Sequence, residues 1–371
     1  MTRREWIALI SAAPLLKGAP QAPATPVTIA KCASYDEDVT SRLATMFNQL
    51  GGLDRIVRGK TVTIKLNMTG SPGLRVDGRP PGITHYVHPK LVGATAHLMG
   101  RAGARRIRFV ESAWATSGPL EEYLLDSGWN VRQLLAAAPG VEFENTNALG
   151  KGKKYSRFKV PEAYMFPAYD LNHAYEDTDV FVSMAKLKNH ATCGVTLSLK
   201  NCFGILPASI YGDDAGVDEP NENPTTGRAK TMHAGRRQPS KSAPSELDPS
   251  SSRDAGYRVP HIVADLVKVR PVDLALIDGI ESVAGGEGPW IRGIRRVQPG
   301  VLLAGLNPVS TDAVAAAVMG YDPRATRGTV PFVKCDNTLL LAERHGVGSG
   351  DLRRIEVRGV PIANAIYRYD A

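Results

Sequence analysis

The stretch "VFVSMAKLKNHATCGVTLSLKNCFGILP", Val180 to Pro207, joins an apolar core signal to an unusual density of cations. It opens on Val180-Phe181-Val182, a continuous apolar run of the kind found in strands covered on both faces. Lys186, Lys188 and His190 then follow at spacing two, which puts them on one side of an extended chain. Val195–Phe203 reads as a helix, with Thr196 and Lys200 four apart on one face and Leu197, Leu199 and Phe203 flanking them. Strand, polar tail and helix together are the unit of a parallel sheet with crossover helices.

The same unit recurs on either side. Strand patterns cover Val27–Ala30, Thr61–Leu66, Arg106–Val110, Leu274–Ile277 and Val301–Leu306. Helical patterns cover Asp38–Leu50, closed by Gly51-Gly52, and Pro89–Arg101, with proline in the first turn; Val259–Val269 and Thr311–Met319 follow. The expected fold is α/β: a mostly parallel sheet with crossover helices on both faces and one long irregular insertion. Residues 211–257 are that insertion, rich in Pro, Ser, Gly and Asn. Their first part is acidic (Asp213, Asp214, Asp218, Glu219, Glu222) and their middle basic (Arg228, Lys230, His233, Arg236, Arg237, Lys241). Strand–helix alternation resumes beyond it, so it reads as a loop or lid within one domain, residues 25–371.

The N-terminus has a separate logic. "MTRREWIALISAAPLLKGAPQAPA", residues 1–24, has a basic start, an apolar run from Trp6 to Leu16 and the small-residue pattern Ala22-Pro23-Ala24, the layout of an export signal. Thr2-Arg3-Arg4-Glu5-Trp6-Ile7 resembles the twin-arginine type, with Trp where Phe is usual. The run is shorter than the roughly 20 residues that span a bilayer. The expectation is therefore a periplasmic protein with no stable membrane anchor once the signal is removed.

The 371 residues carry a formal charge of +8, and the signal holds three of the basic groups and one acid. A modest positive surplus suits a small anionic ligand, and no basic run interleaved with aromatics points to nucleic acid. The cysteines, Cys32, Cys193, Cys202 and Cys335, lack zinc-ribbon or ferredoxin spacing and read as unpaired, buried thiols, with a Cys193–Cys202 bridge as the alternative.

In open parallel sheets, ligands bind beyond the carboxyl ends of the strands. Here those ends carry Lys65 and Asn67, then Glu111-Ser112, then Lys186, Lys188 and His190, then Asp278 with Glu281 and Glu287, and finally Asn307, Ser310 and Asp312. Each has a bland alternative: a solvated lysine, a loop histidine, or an aspartate stabilising a helix start. Their shared position at strand ends makes a site the better reading.

The central stretch resembles the signature of the family called domain of unknown function 362. The matching residues are Asp179, the K-x-K-x-H of Lys186, Lys188 and His190, and the T-x-x-x-K-N-x-F-G-x-x-P run of Thr196, Lys200, Asn201, Phe203, Gly204 and Pro207. Lys65-Leu66-Asn67, Glu111-Ser112 and Lys230-x-x-His233 resemble further pieces in order. So do "DGIESVAGGEGP" from Asp278 and "NPVSTDAVAAAVMGYDP" from Asn307, where Asn307 stands for the usual Asp and Ser310 for Ala. The resemblance covers roughly residues 27–360. Many relatives add an iron–sulfur domain; this chain lacks its cysteine spacing, so no cluster is expected here.

Two functional readings follow. In the first, an enzyme acts on an anionic small molecule, a carboxylate or phosphate ester. Lys65, Asn67, Lys186, Lys188 and Asn201 would bind it, and Lys200, His190 and His233 would do the chemistry. Asp278, Glu111, Glu287 and Asp312 could hold a divalent cation through oxygen. In the second reading, the same groups make a non-catalytic anion- or metal/iron–sulfur-binding redox partner. Cofactor identity and oligomeric state are left open.

Overall fold

In a computed structural model, residues 21–149 and 154–370 are described. The export-signal reading falls almost wholly outside them, on residues 1–20. Eight strands form the main sheet: β1 (Val27–Lys31), β2 (Thr61–Lys65), β3 (Arg106–Glu111), β4 (Val141–Asn145), β5 (Val180–Lys186), β6 (Leu274–Gly279), β7 (Val301–Gly305) and β8 (Val357–Gly359). Their spatial order is β8-β1-β7-β6-β5-β2-β3-β4. The block from β6 to β4 is parallel throughout, with Lys65 level with Ser183 and Asp278 level with Lys186. Strand β7 runs antiparallel to both of its neighbours. Six of these strands are legible in the sequence; β4 and the edge strand β8 are not, because their half-exposed residues give no continuous apolar run.

Each sheet face carries its own core. Val62, Ile64, Phe109, Val182, Met184 and Leu276 pack against helices α1 (Val39–Gln49) and α2 (Pro89–Arg101). On the other face, Phe181, Ala185, Ala275, Ile277 and Leu303 lie under α3 (Leu197–Asn201), α4 (Ala255–Val269) and α5 (Pro308–Val318). The helix starts follow their caps: Asp38 accepts the Ser41 amide, and Asn307 accepts those of Val309 and Ser310.

The insertion is fixed by polar staples. Asp213 accepts the backbone N–H groups of Lys230 and Thr231, and Arg258 of α4, fully buried, pairs with Glu246 at 2.5 Å. Met232 is buried beneath it. Buried backbone that is not in a sheet or helix still needs hydrogen-bond partners, and here side chains supply them. No described helix is long and apolar enough to cross a membrane.

Candidate functional site

A cleft of about 150 Å³ opens at the carboxyl ends of β2, β3 and β5, roofed by the insertion. Among the residues lining it are Lys65, Asn67, Glu111, His190, Lys200, Asn201 and His233. The structure thus brings together Lys65, Asn67, Glu111, His190, Lys200, Asn201 and His233 around one cleft.

Its floor is a buried ion pair. Lys65 Nζ lies 2.7 Å from Glu111 and also donates to the Leu66 carbonyl and to Asn201 Oδ1. Glu111 accepts the amides of Met68 and Ser112, each at 3.0 Å. Burial raises the Glu111 carboxyl, and Lys65 works against that rise. Gly204 makes the pair sterically feasible: a Cβ there would sit 2.8 Å from Lys65 Cε and Nζ. Asn201 is spent on scaffolding, its amide donating to Ser183 Oγ at 3.1 Å and to the Met184 carbonyl at 3.3 Å. Asn67 accepts the Lys186 backbone N–H, so it too fixes the strand ends.

Lys200 differs from Lys65. Its ammonium lies over the Phe203 ring, 4.5 Å from the centroid, and among the described residues nothing accepts a hydrogen bond from it or pairs with it. Burial pushes it below the usual lysine range, Cys193 and Glu287 work against that fall, and Lys65 and Arg228 add repulsion. Arg228 is a cleft residue that sequence reasoning passed over, treating it as one basic member of the insertion. It reaches the cleft, donates to Ser112 Oγ and the Leu206 carbonyl, and keeps a buried Nε without a partner. Burial lowers it to about 10, Glu111 opposing. Three cations thus line the cleft against one carboxylate.

The two histidines are held as opposite tautomers. His190 Nδ1 accepts the Thr192 amide at 3.1 Å, leaving the proton on Nε2. His233 Nδ1 faces the Arg228 carbonyl at 3.1 Å, so it carries the proton and Nε2 is the bare acceptor. Burial keeps both neutral: it lowers His233 to about 4, helped by Lys200, and takes His190 well below its ordinary value.

Other expected site residues lie elsewhere. Lys65 is level with Ser183, so both point to the face covered by α3; Lys186, three residues on, points to the opposite face. There it forms a fully buried pair with Asp278 at 3.0 Å, and the Tyr35 hydroxyl reaches both. Lys188 donates to the carbonyls of His85 and Glu287, and burial lowers it to about 7. Neither lysine lines the cleft. The four acids do not meet. Asp278 is neutralised by Lys186, and Glu287 accepts the Ala191 amide and the Trp290 indole N–H. Asp312 accepts the amides of Ser198 and Leu199 at the start of α3, which it reaches because antiparallel β7 delivers α5 from the opposite rim. Among the described residues no three or more His, Cys, Asp or Glu gather as metal donors. All four cysteines are free and buried.

The fold and site thus define an α/β protein with a basic, histidine-bearing cleft at the strand ends of a largely parallel sheet. The chain belongs to the family "Domain of unknown function (DUF362)", whose profile matches residues 62–317. It is 24% identical over 318 residues, 84% of this chain and 79% of the relative, to the "Thylakoid-associated protein sll1697" of Synechocystis sp. (strain ATCC 27184 / PCC 6803 / Kazusa). Two solved structures are more distant, each 10% identical. One is a structural-genomics protein of Thermotoga maritima, with a TM-score of 0.36, covering 72% of this chain. The other is the lactate racemase apoprotein of Thermoanaerobacterium thermosaccharolyticum, with a TM-score of 0.35, covering 75%. The chain spans 56% and 54% of their lengths.

Proposed function

We propose that the chain is an enzyme acting on a small anionic molecule, a carboxylate or a phosphate ester, bound in this cleft. The observation that carries the reading is Lys200: a cation lining the cleft with no ion-pair or hydrogen-bonding partner among the described residues. A half-buried charge without a direct partner is costly, and an anionic guest supplies the missing partner. Arg228, with a free buried Nε, is the second contact, and the Lys65–Glu111 pair holds the floor rigid. His190 serves as neutral hydrogen-bond donor to an oxygen of the guest, and His233 Nε2 takes up a proton. This reading gives the anion to lysine and arginine, and assigns no step to Asp278, Glu287 or Asp312.

The test is thermal denaturation with a panel of carboxylates and phosphate esters. A ligand at about 100 times its Kd adds about 2.7 kcal/mol. The shift should vanish in Lys200→Met, which should remain folded. A panel that shifts neither protein, or both equally, contradicts the reading. We further propose that residues 1–24 are an export signal; N-terminal sequencing of periplasmic protein that starts at Met1 or Thr2 would refute that.

A further inference from the structure

A cleft of about 150 Å³ is smaller than the roughly 300–1,000 Å³ that encloses a drug-sized ligand, so it has room for a head group, and the body of any larger ligand would lie at its mouth. One exposed indole lines this cleft and a second packs on its wall. Trp114 lines the cleft, is 46% exposed, and lies against Gly227, where a Cβ would come within 2.5 Å of its Cζ3. Trp290 is 45% exposed and lies against Gly70, also in the cleft wall, where a Cβ would again come within 2.5 Å of Cζ3. The other described tryptophan, Trp129, is buried. The Trp290 indole and the glycine it packs on are held in place. Gly70 is fixed through its carbonyl, which accepts the hydroxyls of Tyr86 and Tyr123. The Trp290 N–H donates to Glu287, and the same carboxylate accepts the Ala191 amide beside His190. Large aromatic rings exposed beside a cleft offer apolar area that a bound ring can cover.

We propose that the substrate is an anion whose body is a planar, unsaturated ring, its charged head on Lys200 and Arg228 and its ring against Trp114 and Trp290. This rests on the anion reading above, and the test separates the two. Calorimetric titrations of the full chain use two probe pairs, phenyl phosphate against methyl phosphate and benzoate against acetate. Ring–aromatic stacking contributes about 1–3 kcal/mol, so the ring-bearing probe of the preferred pair should bind about 5- to 150-fold more tightly. In Trp114→Leu/Trp290→Leu that ratio should collapse toward one with binding of the ring-free probe kept, whereas in Lys200→Met both probes of the pair should lose binding. Quenching of tryptophan emission by the ring-bearing probe alone is a second readout that needs no variant. Equal affinities within both pairs, or a ratio that survives the double substitution, overturn the ring inference and leave the anion reading standing. Binding of no probe overturns both.

Discussion

Lys200 and Lys65 show how one residue type, a few ångströms of context apart, takes two roles. Lys65 has Glu111 and Asn201; Lys200 lies over the Phe203 ring and, among the described residues, has no hydrogen-bond or ion-pair partner. Replacing an unsatisfied lysine with a methionine of similar length should therefore raise the stability of the unliganded protein, by about 1 kcal/mol in urea denaturation, while removing anion binding. A destabilised Lys200→Met would mean that the ammonium has a partner within the fold. Gly204 makes the complementary point. Gly204→Ala drives a methyl into Lys65, and overpacking of this kind costs about 1–3 kcal/mol; a neutral effect would show that the pair can move aside. Lys186 gives the sharpest contrast. Lys186→Met leaves Asp278 buried without a counter-charge, at a cost of about 3–5 kcal/mol, and should do so without abolishing anion binding. Loss of binding in a folded Lys186→Met protein would restore it to the site. Among single residues, the sequence showed which polar groups cluster near strand ends but not which are already paired. Pairing partners such as Glu111 and Asp278 lie 46 and 92 residues away from their lysines, and no local pattern records them.

At the scale of elements, α3 carries the site and Asp312 holds α3. Leu197 enters the helix from the left-handed region, φ +45°, a conformation that a leucine adopts only when its surroundings impose it. The two amides that follow are then aimed at the Asp312 carboxyl. Burial pushes that carboxyl up to about 8, against the pull of the two N–H donors. A carboxyl raised above its unfolded value favours the protonated folded state, so its contribution falls as pH rises from about 4 to about 8. The stability difference between wild type and Asp312→Asn should accordingly move in favour of the variant across that window. A difference that is flat with pH would mean that Asp312 stays ionised throughout. The strand and helix at either end of Val180–Pro207 were plain from apolar runs and spacing. The side of the sheet was not. Spacing two places Lys186 and Lys188 together, but only the register Lys65 to Ser183 reveals that Lys186 faces away from Lys65. The reversed direction of β7, which sends Asn307 to the far rim, was equally invisible in an apolar run that reads the same both ways.

For the whole molecule, the buried histidines set the acid limit. Burial lowers His85 to about 2 and His88 and His233 to about 4, and takes His190 well below its usual value. A histidine depressed on folding contributes stability that is present above its unfolded value near 6.5 and lost as pH falls through the folded value. The melting temperature should therefore drop on acidification from pH 6.5 toward pH 4, and less steeply in His88→Gln; a constant Tm over that range would show that these rings protonate freely. The α/β architecture was legible because parallel strands covered on both faces must be apolar throughout. The insertion was legible only as a gap in that pattern, and its contribution of Arg228 and His233 to the cleft roof depends on staples such as Glu246–Arg258 that join its far end to α4.

The most direct measurement of the central claim is anomalous diffraction from crystals of the full chain soaked in selenate, an oxyanion visible by its own scattering. The account predicts a peak in the cleft within hydrogen-bond distance, about 3 Å, of Lys200 Nζ and beside Arg228. An empty cleft in crystals that bind selenate at other basic surfaces would contradict it.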